Sequence, residues 1–283
     1  MSKVAVIGLA GESVFLTVEK FHEGGETLVA DAFVTQPGGK GFNQAVAAKR
    51  AGAEVSFLAA AGNDAYAESI QSFLTKEEIR WKLPRKADRT AYAAILTDRS
   101  GANRVTEYIG AQLEERDVSD FEEEIACADI LLLSNEVPLR VNEAAARTAK
   151  RHGTKIILNP APSVKLSEEL KRAVWLFTPN EFETEGLERY KNAVVTLGKR
   201  GCLLRATGET IPARSVTAVD TTGAGDVFNG YLAARLVAGD SLKEAAEIAN
   251  TASGIAVTRK GAVTSVPYLE EVIREYGSLS ERA

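Results

Sequence analysis

Short apolar runs alternate with amphipathic helical segments along most of this 283-residue chain. The runs predict buried strands at 4–7, 55–59, 130–133, 155–158, 175–178 and 193–197. Helical periodicity and capping signals predict helices at 41–50, around 69–74, and at 140–152, 224–238 and 242–257. Repeated strand–helix–strand units favour an α/β fold, with a mainly parallel sheet covered by helices on both faces.

Two regions interrupt this alternation, at about 12–36 and 89–109. Both are extended segments without helical periodicity, so they predict a small second sheet on the main body. Such a sheet can cover a cleft as a lid, and a plain surface hairpin is equally consistent with the pattern. Since the chain has no long linker and no internal repeat, we expect one domain over 1–283 that carries this sheet.

Charge and the small number of metal-binding residues exclude several classes of function. Lys and Arg total 34 against 39 for Asp and Glu, which gives a net charge of −5. No basic surplus exists for binding nucleic acid or an anionic membrane. Two cysteines and two histidines are too few for a four-ligand zinc site or a disulfide framework. We therefore expect a cytoplasmic protein in which any bound anion is held by local groups.

The segment 220–230, Asp-Thr-Thr-Gly-Ala-Gly-Asp-Val-Phe-Asn-Gly, places small residues at the start of a predicted helix. Backbone N–H groups of Gly223, Ala224 and Gly225 at a helix N-terminus suit a phosphate or a developing oxyanion. Asp226 lies in the first turn of that helix. A lone Asp there is usually a partner of the helix dipole, but beside such an anion site it is a candidate base for a substrate hydroxyl.

A second glycine cluster, Gly-Gly-Lys-Gly-Phe-Asn at 38–43, opens another predicted helix. Its three glycines let the backbone approach a ligand closely, and Lys40 and Asn43 add polar groups at the same place. The segment lacks the Ser or Thr that follows the lysine of a Walker A loop, and its glycine spacing differs from that motif. Alone, it is a weak signal that also fits a tight turn.

Together the two segments resemble the signatures of the ribokinase-like carbohydrate kinases, also called the PfkB family. The stretch 37–45 resembles the first signature and 219–230 the second. Between them, 178–183 resembles an Asn-x-x-Glu element and 196–201 resembles a nucleotide-side loop. The resemblance spans essentially the whole chain. It implies a three-layer α/β/α fold with a small lid sheet, and ATP-dependent phosphorylation of a primary hydroxyl on a sugar-like substrate.

The resemblance also implies which residues carry the reaction. Asp226 would deprotonate the substrate hydroxyl, and Gly223, Ala224 and Gly225 would form the anion hole for the transferred phosphoryl group. Glu183 would hold Mg²⁺ through water and the phosphates. The ATP site would consist of Asn180, Thr196, Gly198, Gly201 and Asn250.

The substrate site and a second cation site are implied in the same way. The sugar site would consist of Gly39, Lys40, Asn43, Glu136, Gly11 and Ser13. A monovalent cation, for which K⁺ is the candidate, would be held by Asp220, Thr222 and Ser265. In the family the lid sheet often pairs two subunits, so the resemblance also implies a homodimer.

The chain departs from the family pattern at the sugar contacts. Family members usually have an Asn and an Asp after the first strand, where this chain has Gly11 and Ser13. Loss of a buried polar partner can change substrate preference by orders of magnitude, which puts ribose itself in question. We do not expect Glu12 to replace this partner, because in a regular strand Glu12 points to the opposite side from Ser13, although a bulge would change that. A second departure is the short segment 186–192, where the family has a longer helical one.

Two alternative functions remain open at this point. The substrate could be a nucleoside or a phosphorylated sugar, and the latter needs a further cation at the distal end of the site, for which Arg104 is a candidate. The other alternative is a ligand-binding protein on the kinase fold with little turnover, since fold alone does not fix function. The intact Asp226 and the glycine-rich loop before it favour the kinase.

Overall fold

The computed structural model describes residues 2–99 and 102–280. In chain order, the strands of this part are β1 (Lys3–Ile7), β2 (Gly11–Thr17), β3 (Ala32–Gly38), β4 (Glu54–Leu58), β5 (Arg80–Lys82), β6 (Ala91–Thr97), β7 (Asn103–Tyr108), β8 (Ile130–Ser134), β9 (Lys155–Asn159), β10 (Leu176–Phe177), β11 (Val194–Thr196), β12 (Cys202–Leu204) and β13 (Glu209–Ile211). The α-helices are α1 (Lys40–Arg50), α2 (Ala65–Lys76), α3 (Glu115–Ser119), α4 (Glu122–Ala126), α5 (Leu139–His152), α6 (Glu168–Ala173), α7 (Ala224–Ala238), α8 (Leu242–Ala256) and α9 (Leu269–Ser280).

The central sheet has the strand order β10-β9-β8-β1-β4-β5, and every neighbouring pair in it is parallel. Successive side chains of β1 enter different cores. Val4 and Val6 pack with α1, α7 and α8, whereas Ala5 and Ile7 pack on the side of α3, α4, α5 and α6. Helices therefore cover both faces, and the predicted three-layer α/β/α arrangement is confirmed.

Two small sheets accompany the central one. β11, β12 and β13 form an antiparallel sheet that is joined to the end of β10 by single bridges. The other sheet has the order β3-β2-β6-β7, and only its central pair, β2 and β6, is parallel. The second sheet expected at 12–36 and 89–109 is thus present, with 100 and 101 outside the described residues. Contacts of α2 with β2 and β3 join it to the main body.

Local signals that set helix ends agree with the structure. Gly153 ends α5 in the left-handed conformation, with φ 74°, which a glycine adopts without a steric penalty. Ser241 and Glu244 form the predicted capping box at the start of α8. None of the helices in the described ranges is long and apolar enough to cross a bilayer.

Candidate active site

Helices α1 and α7 touch where α7 has a glycine, Gly230. A Cβ at this position would lie 2.5 Å from Gln44 O and from Ala47 Cβ, so only glycine permits the close approach. Asp226 precedes Gly230 by four residues and therefore lies one turn earlier on the same face of α7. The crossing thus brings Asn43 and Gln44 of α1 against Asp226.

Both helices begin at glycines with positive φ. Gly39, with φ 100°, precedes α1, and a Cβ there would lie 2.6 Å from Leu9 O. Phe42 N–H donates to the same carbonyl at 3.1 Å, which presses the start of α1 onto the loop after β1. Gly223, with φ 76°, precedes α7, and Ala224 N–H donates weakly to Thr221 O at 3.3 Å. Lys40, the first residue of α1, and Gly223, which precedes α7, line a common cavity.

The Asp226 carboxylate, which is only 6% exposed, accepts one amide hydrogen bond at each oxygen. Asn43 Nδ2 donates to Oδ2 and Gln44 Nε2 donates to Oδ1, both at 3.1 Å. Gln44 Nε2 also donates to Asn159 Oδ1 at 3.2 Å, and Asn159 Nδ2 donates to Thr178 O at 2.9 Å. This chain of amides fixes the carboxylate against the carboxyl ends of β9 and β10.

Burial and nearby charge act on Asp226 in opposite directions. Burial raises the pKa of its carboxyl, whereas Lys40, Asn43 and Gln44 lower it, and the net effect is a rise above the usual carboxyl value. Asp226 in turn raises the pKa of Lys40, with smaller contributions from Glu136 and other acids, against the lowering effect of burial. Lys40 therefore stays positively charged beside the buried carboxylate.

Glu136 and Asn43 offer polar atoms to a ligand next to Asp226. Burial raises the pKa of Glu136 to about 8, in spite of the nearby charge of Lys40. Its Oε2 accepts the backbone N–H of Lys40 at 2.7 Å. The raised pKa favours the protonated form of this side chain, which can donate a hydrogen bond to a ligand. Asn43 Oδ1 is buried and finds no hydrogen-bond partner among the described residues, so it can accept one from a hydroxyl.

Three adjoining cavities follow one another past Asp226, which lines the first two of them. The first, of 190 Å³, is lined by the predicted substrate residues Gly11, Ser13, Gly39, Lys40, Asn43 and Glu136. The second, of 230 Å³, shares Lys40 and Asp226 with the first and is also lined by Glu183, Gly223, Ala224 and Gly225. The third, of 460 Å³, shares Ala224 and Gly225 with the second and is lined by Asn180, Thr196, Gly198, Gly201 and Asn250. The predicted substrate, phosphoryl and nucleotide residues thus follow one another in space.

The loop 180–183 presents a carboxylate to the second cavity. Asn180 N–H and Nδ2 donate to Oε2 and Oε1 of Glu183 at 3.0 and 2.7 Å, so both oxygens are oriented and keep free lone pairs. In the ranges that the structure describes, no group of three His, Cys, Asp or Glu side chains could hold a metal ion. One oriented carboxylate, that of Glu183, fits Mg²⁺ that arrives with phosphate and water oxygens.

The predicted monovalent-cation residues lie on two adjoining loops. Asp220 Oδ1 accepts Thr222 N–H and its Oδ2 accepts Gly261 N–H, both at 2.9 Å. Ser265 Oγ donates to Ala262 O at 2.8 Å. The Asp220 carboxylate therefore ties the loop before α7 to the loop after α8, and a cation there would share it with two backbone donors.

Two further predicted residues have partners that limit their roles. Asn250 lines the third cavity, but its Nδ2 already donates to Ile211 O at 3.3 Å. Arg104 is not among the residues that line the first cavity, and its guanidinium lies 4.3 Å from the centroid of the Phe21 ring. Lys40 is the one Lys or Arg that lines this cavity among the described residues. A phosphorylated sugar would therefore lack a distal cation.

Sequence reasoning assigned no role to Gln44 or Asn159, although Gln44 belongs to the stretch 37–45 that resembles the first signature. Gln44 is completely buried. In a short helix, a glutamine followed by Ala-Val-Ala-Ala predicts a polar side chain on a buried face. Such a side chain needs hydrogen-bond partners. That signal was present, but the identity of the partners, Asp226 and Asn159, depends on the packing of distant segments.

Comparisons with known proteins agree with this geometry. Residues 1–269 match the family model described as pfkB family carbohydrate kinase. A ribokinase of Haemophilus influenzae is 34% identical over 296 residues, which cover 95% of this chain and 97% of that protein. The crystal structure of a ribokinase from Thermotoga maritima has a TM-score of 0.88 at 33% identity, and covers 98% of this chain and 100% of that one. A ribokinase of Arabidopsis thaliana in complex with ribose and ATP has a TM-score of 0.86 at 26% identity, with coverage of 98% and 99%.

Proposed function

The chain belongs to the pfkB family of carbohydrate kinases, which are ATP-dependent phosphotransferases, and we propose that it phosphorylates a primary hydroxyl of a sugar-like substrate with Asp226 as the base. The observation that carries this assignment is the position of Asp226. Its buried carboxylate is held by two amides at the junction of the first two cavities. A base in that place reaches both an acceptor hydroxyl and a transferred phosphoryl group.

Phosphoryl transfer asks more for positioning and charge stabilisation than for covalent chemistry by the protein. In the proposed step, Asp226 accepts the hydroxyl proton while the hydroxyl oxygen bonds to the γ-phosphorus and the bond to ADP breaks. The backbone N–H groups of Gly223, Ala224 and Gly225 at the start of α7 stabilise the developing charge. The ammonium of Lys40, which lines both cavities, offsets the negative charge of the base and the phosphoryl group.

We place ATP in the third cavity, with its phosphates toward Gly225. When bound, Mg²⁺ supplies positive charge to the phosphate oxygens, and Glu183 would hold it through water and those oxygens. A K⁺ site at Asp220, Thr222 and Ser265 stays a prediction. The hydrogen bonds from the N–H groups of Thr222 and Gly261 to Asp220 order the loop before α7. This is the loop that a bound K⁺ is expected to order.

The proposed activity is tested by ADP release from Mg·ATP with a panel of ribose, deoxyribose, fructose, other sugars, nucleosides and sugar phosphates. We expect turnover with at least one uncharged sugar-like compound. We expect no compound to require a phosphate group at its far end for turnover. Folded protein that binds ATP and turns over no member of the panel would support the ligand-binding alternative instead.

Gln44→Leu is expected to lower kcat by roughly 10–100-fold, because a hydrogen bond to a charged group contributes about 1.5–3 kcal/mol. The substitution removes the amide that holds Asp226 Oδ1 and that links it to Asn159. Since this amide lowers the pKa of the Asp226 carboxyl, its loss moves the acidic limb of the pH–rate profile to higher pH. The profile of kcat between pH 5 and 9 measures both effects.

The matched control for this variant is Gln71→Leu, the same change on α2 away from the three cavities. It should leave kcat and the pH profile unaltered. A slower Gln44→Leu enzyme with an unshifted acidic limb would show that Gln44 acts through packing alone.

We propose a homodimer that forms through the sheet β3-β2-β6-β7. This sheet exposes large apolar side chains, with Phe33 66% and Tyr108 50% exposed, and exposed apolar surface of this kind marks interaction sites. Light scattering during size-exclusion chromatography should give twice the monomer mass. Phe33→Asp should then be monomeric, whereas Val164→Asp, at a 45% exposed site outside the sheet, should stay dimeric. A wild-type monomer contradicts the proposal.

A further inference from the structure

The loop 261–268, which leads into α9, lies against the start of α7. Its first residue, Gly261, donates its N–H to Asp220 in the loop before α7, at 2.9 Å. Ala262 lines the first cavity together with Gly223, and a Cβ on Gly223 would lie 3.1 Å from that of Ala262. The position of the loop 261–268 therefore limits where the backbone of Gly223, part of the proposed anion hole, can lie.

Arg50, the last residue of α1, holds this loop from the other side. Its Nη1 donates to Val266 O at 2.8 Å and to Val263 O at 3.3 Å. Its guanidinium carbon also lies 4.7 Å from the centroid of the Tyr268 ring, a distance at which the ring attracts the cation. One side chain thus contacts the loop at three residues.

The other donors of Arg50 go to Glu77, the residue after α2. Nε donates to Glu77 Oε2 at 3.0 Å, and Nη2 donates to Oε1. The two side chains are only 10% and 9% exposed. Apolar residues can replace such a buried pair with little loss of stability, or with a gain. They could not donate hydrogen bonds to the loop carbonyls, so the loop contacts are what this arginine adds beyond stability.

The two helices that hold the proposed base also hold this loop. Helix α1 contacts Asp226 through Asn43 and the loop through Arg50, which is seven residues later, or roughly 10 Å at about 1.5 Å per residue. Helix α7 carries Asp226 itself. It also carries Tyr231, whose buried hydroxyl donates to Pro267 O at 2.8 Å. The same pair of packed helices therefore fixes the base and the loop relative to each other.

From these contacts we propose that Arg50 is a positioning residue for phosphoryl transfer. It keeps the loop 261–268 in place, and through that loop the backbone of Gly223 and the carboxylate of Asp220. The inference rests on the proposed function for the reaction itself. Arg50 lines none of the three cavities, so its loss should act on kcat and leave the binding of both substrates unchanged. Misplacement of a reacting group by about 1 Å can lower a rate by about 10²-fold.

The test uses the double variant Arg50→Met with Glu77→Leu, which leaves no buried charge without its partner. We expect kcat to fall by roughly 10–100-fold, with the KM of the sugar and the affinity for a non-hydrolysable ATP analogue unchanged. Arg50→Lys keeps a charge beside Glu77, but one ammonium does not replace the forked guanidinium, so this variant should be slow as well. The matched control is Arg235→Met, which removes a partly buried pair with Asp240 and should keep kcat.

Amide hydrogen exchange tests the hold of Arg50 on the loop without any turnover. In the double variant, exchange should be faster in the segments 220–225 and 261–268 and unchanged in the central strand 130–134. Arg235→Met should exchange as the wild type does. Faster exchange in all three segments would mean that Arg50 only stabilises the fold, and would overturn the proposal.

The proposal is also overturned if kcat of the double variant stays at the wild-type value, or if kcat falls while exchange in 220–225 is unchanged. The two measurements separate this inference from the proposed function. A wild type without turnover, together with faster exchange in 220–225 and 261–268 of the double variant, would reject the kinase and keep the hold of Arg50 on the loop.

Discussion

Asp226→Asn is expected to lower kcat by about 10²–10⁴-fold, the usual contribution of a general base, while ATP still binds. Asparagine has nearly the same shape, but it cannot accept the hydroxyl proton at neutral pH. The side-chain NH₂ of the new asparagine would also face Asn43 Nδ2 or Gln44 Nε2. Both of these groups are donors in the wild-type site, so two donors would meet. ADP release at saturating substrate measures the rate, and calorimetry with a non-hydrolysable ATP analogue measures nucleotide binding.

The pH dependence of the wild type provides a second check on this base. Because burial raises the pKa of the Asp226 carboxyl, the rate should fall toward acid already above the usual carboxyl range. Asp240→Asn is the matched control, since Asp240 follows the same helix and pairs with Arg235 at 2.6 Å. It should keep full activity. Comparable turnover by Asp226→Asn would remove Asp226 from the role of base.

Elements whose signals are local were predicted well from the sequence. The helix expected at 224–238 has these bounds in the structure, because a glycine in the left-handed conformation precedes it and another, Gly239, follows it. The structure also brings together residues from distant segments. Gly223, Lys40 and Glu183 surround one cavity with Asp226, although nothing in their spacing alone places them together.

Other elements were missed for two different reasons. The helices α3 and α4 have five residues each, too few to show a helical period, and their formation depends on packing against α5. Helix α9 was missed although its signal exists: Val272 and Tyr276 are four residues apart and pack on the core, and Glu270 lies in the first turn. The pairing of β2 with β3 and β6, and of β6 with β7, could not be predicted either, because strand register across the small sheet is set by its tertiary contacts.

Lys40→Met is expected to lower kcat by about 10²–10³-fold, comparable to the removal of one group that stabilises the transition-state charge. The variant keeps the length of the apolar stem and deletes the ammonium that lines both the substrate and the phosphoryl cavities. The positive charge of Lys40 lowers the pKa of Asp226. Its loss should therefore move the acidic limb of the kcat profile to higher pH, a change that loss of substrate contacts alone does not produce.

Lys49→Met on the same helix is the matched control for this variant. Lys49 pairs with the exposed Glu78 at 3.4 Å, and such surface pairs contribute about 0–1 kcal/mol, so its rate and pH profile should stay at the wild-type values. If Lys40→Met raised only the KM of the sugar and left the acidic limb in place, Lys40 would be a substrate contact without influence on the base. A fall in kcat together with the shifted limb requires that the ammonium act on Asp226 and the phosphoryl group together.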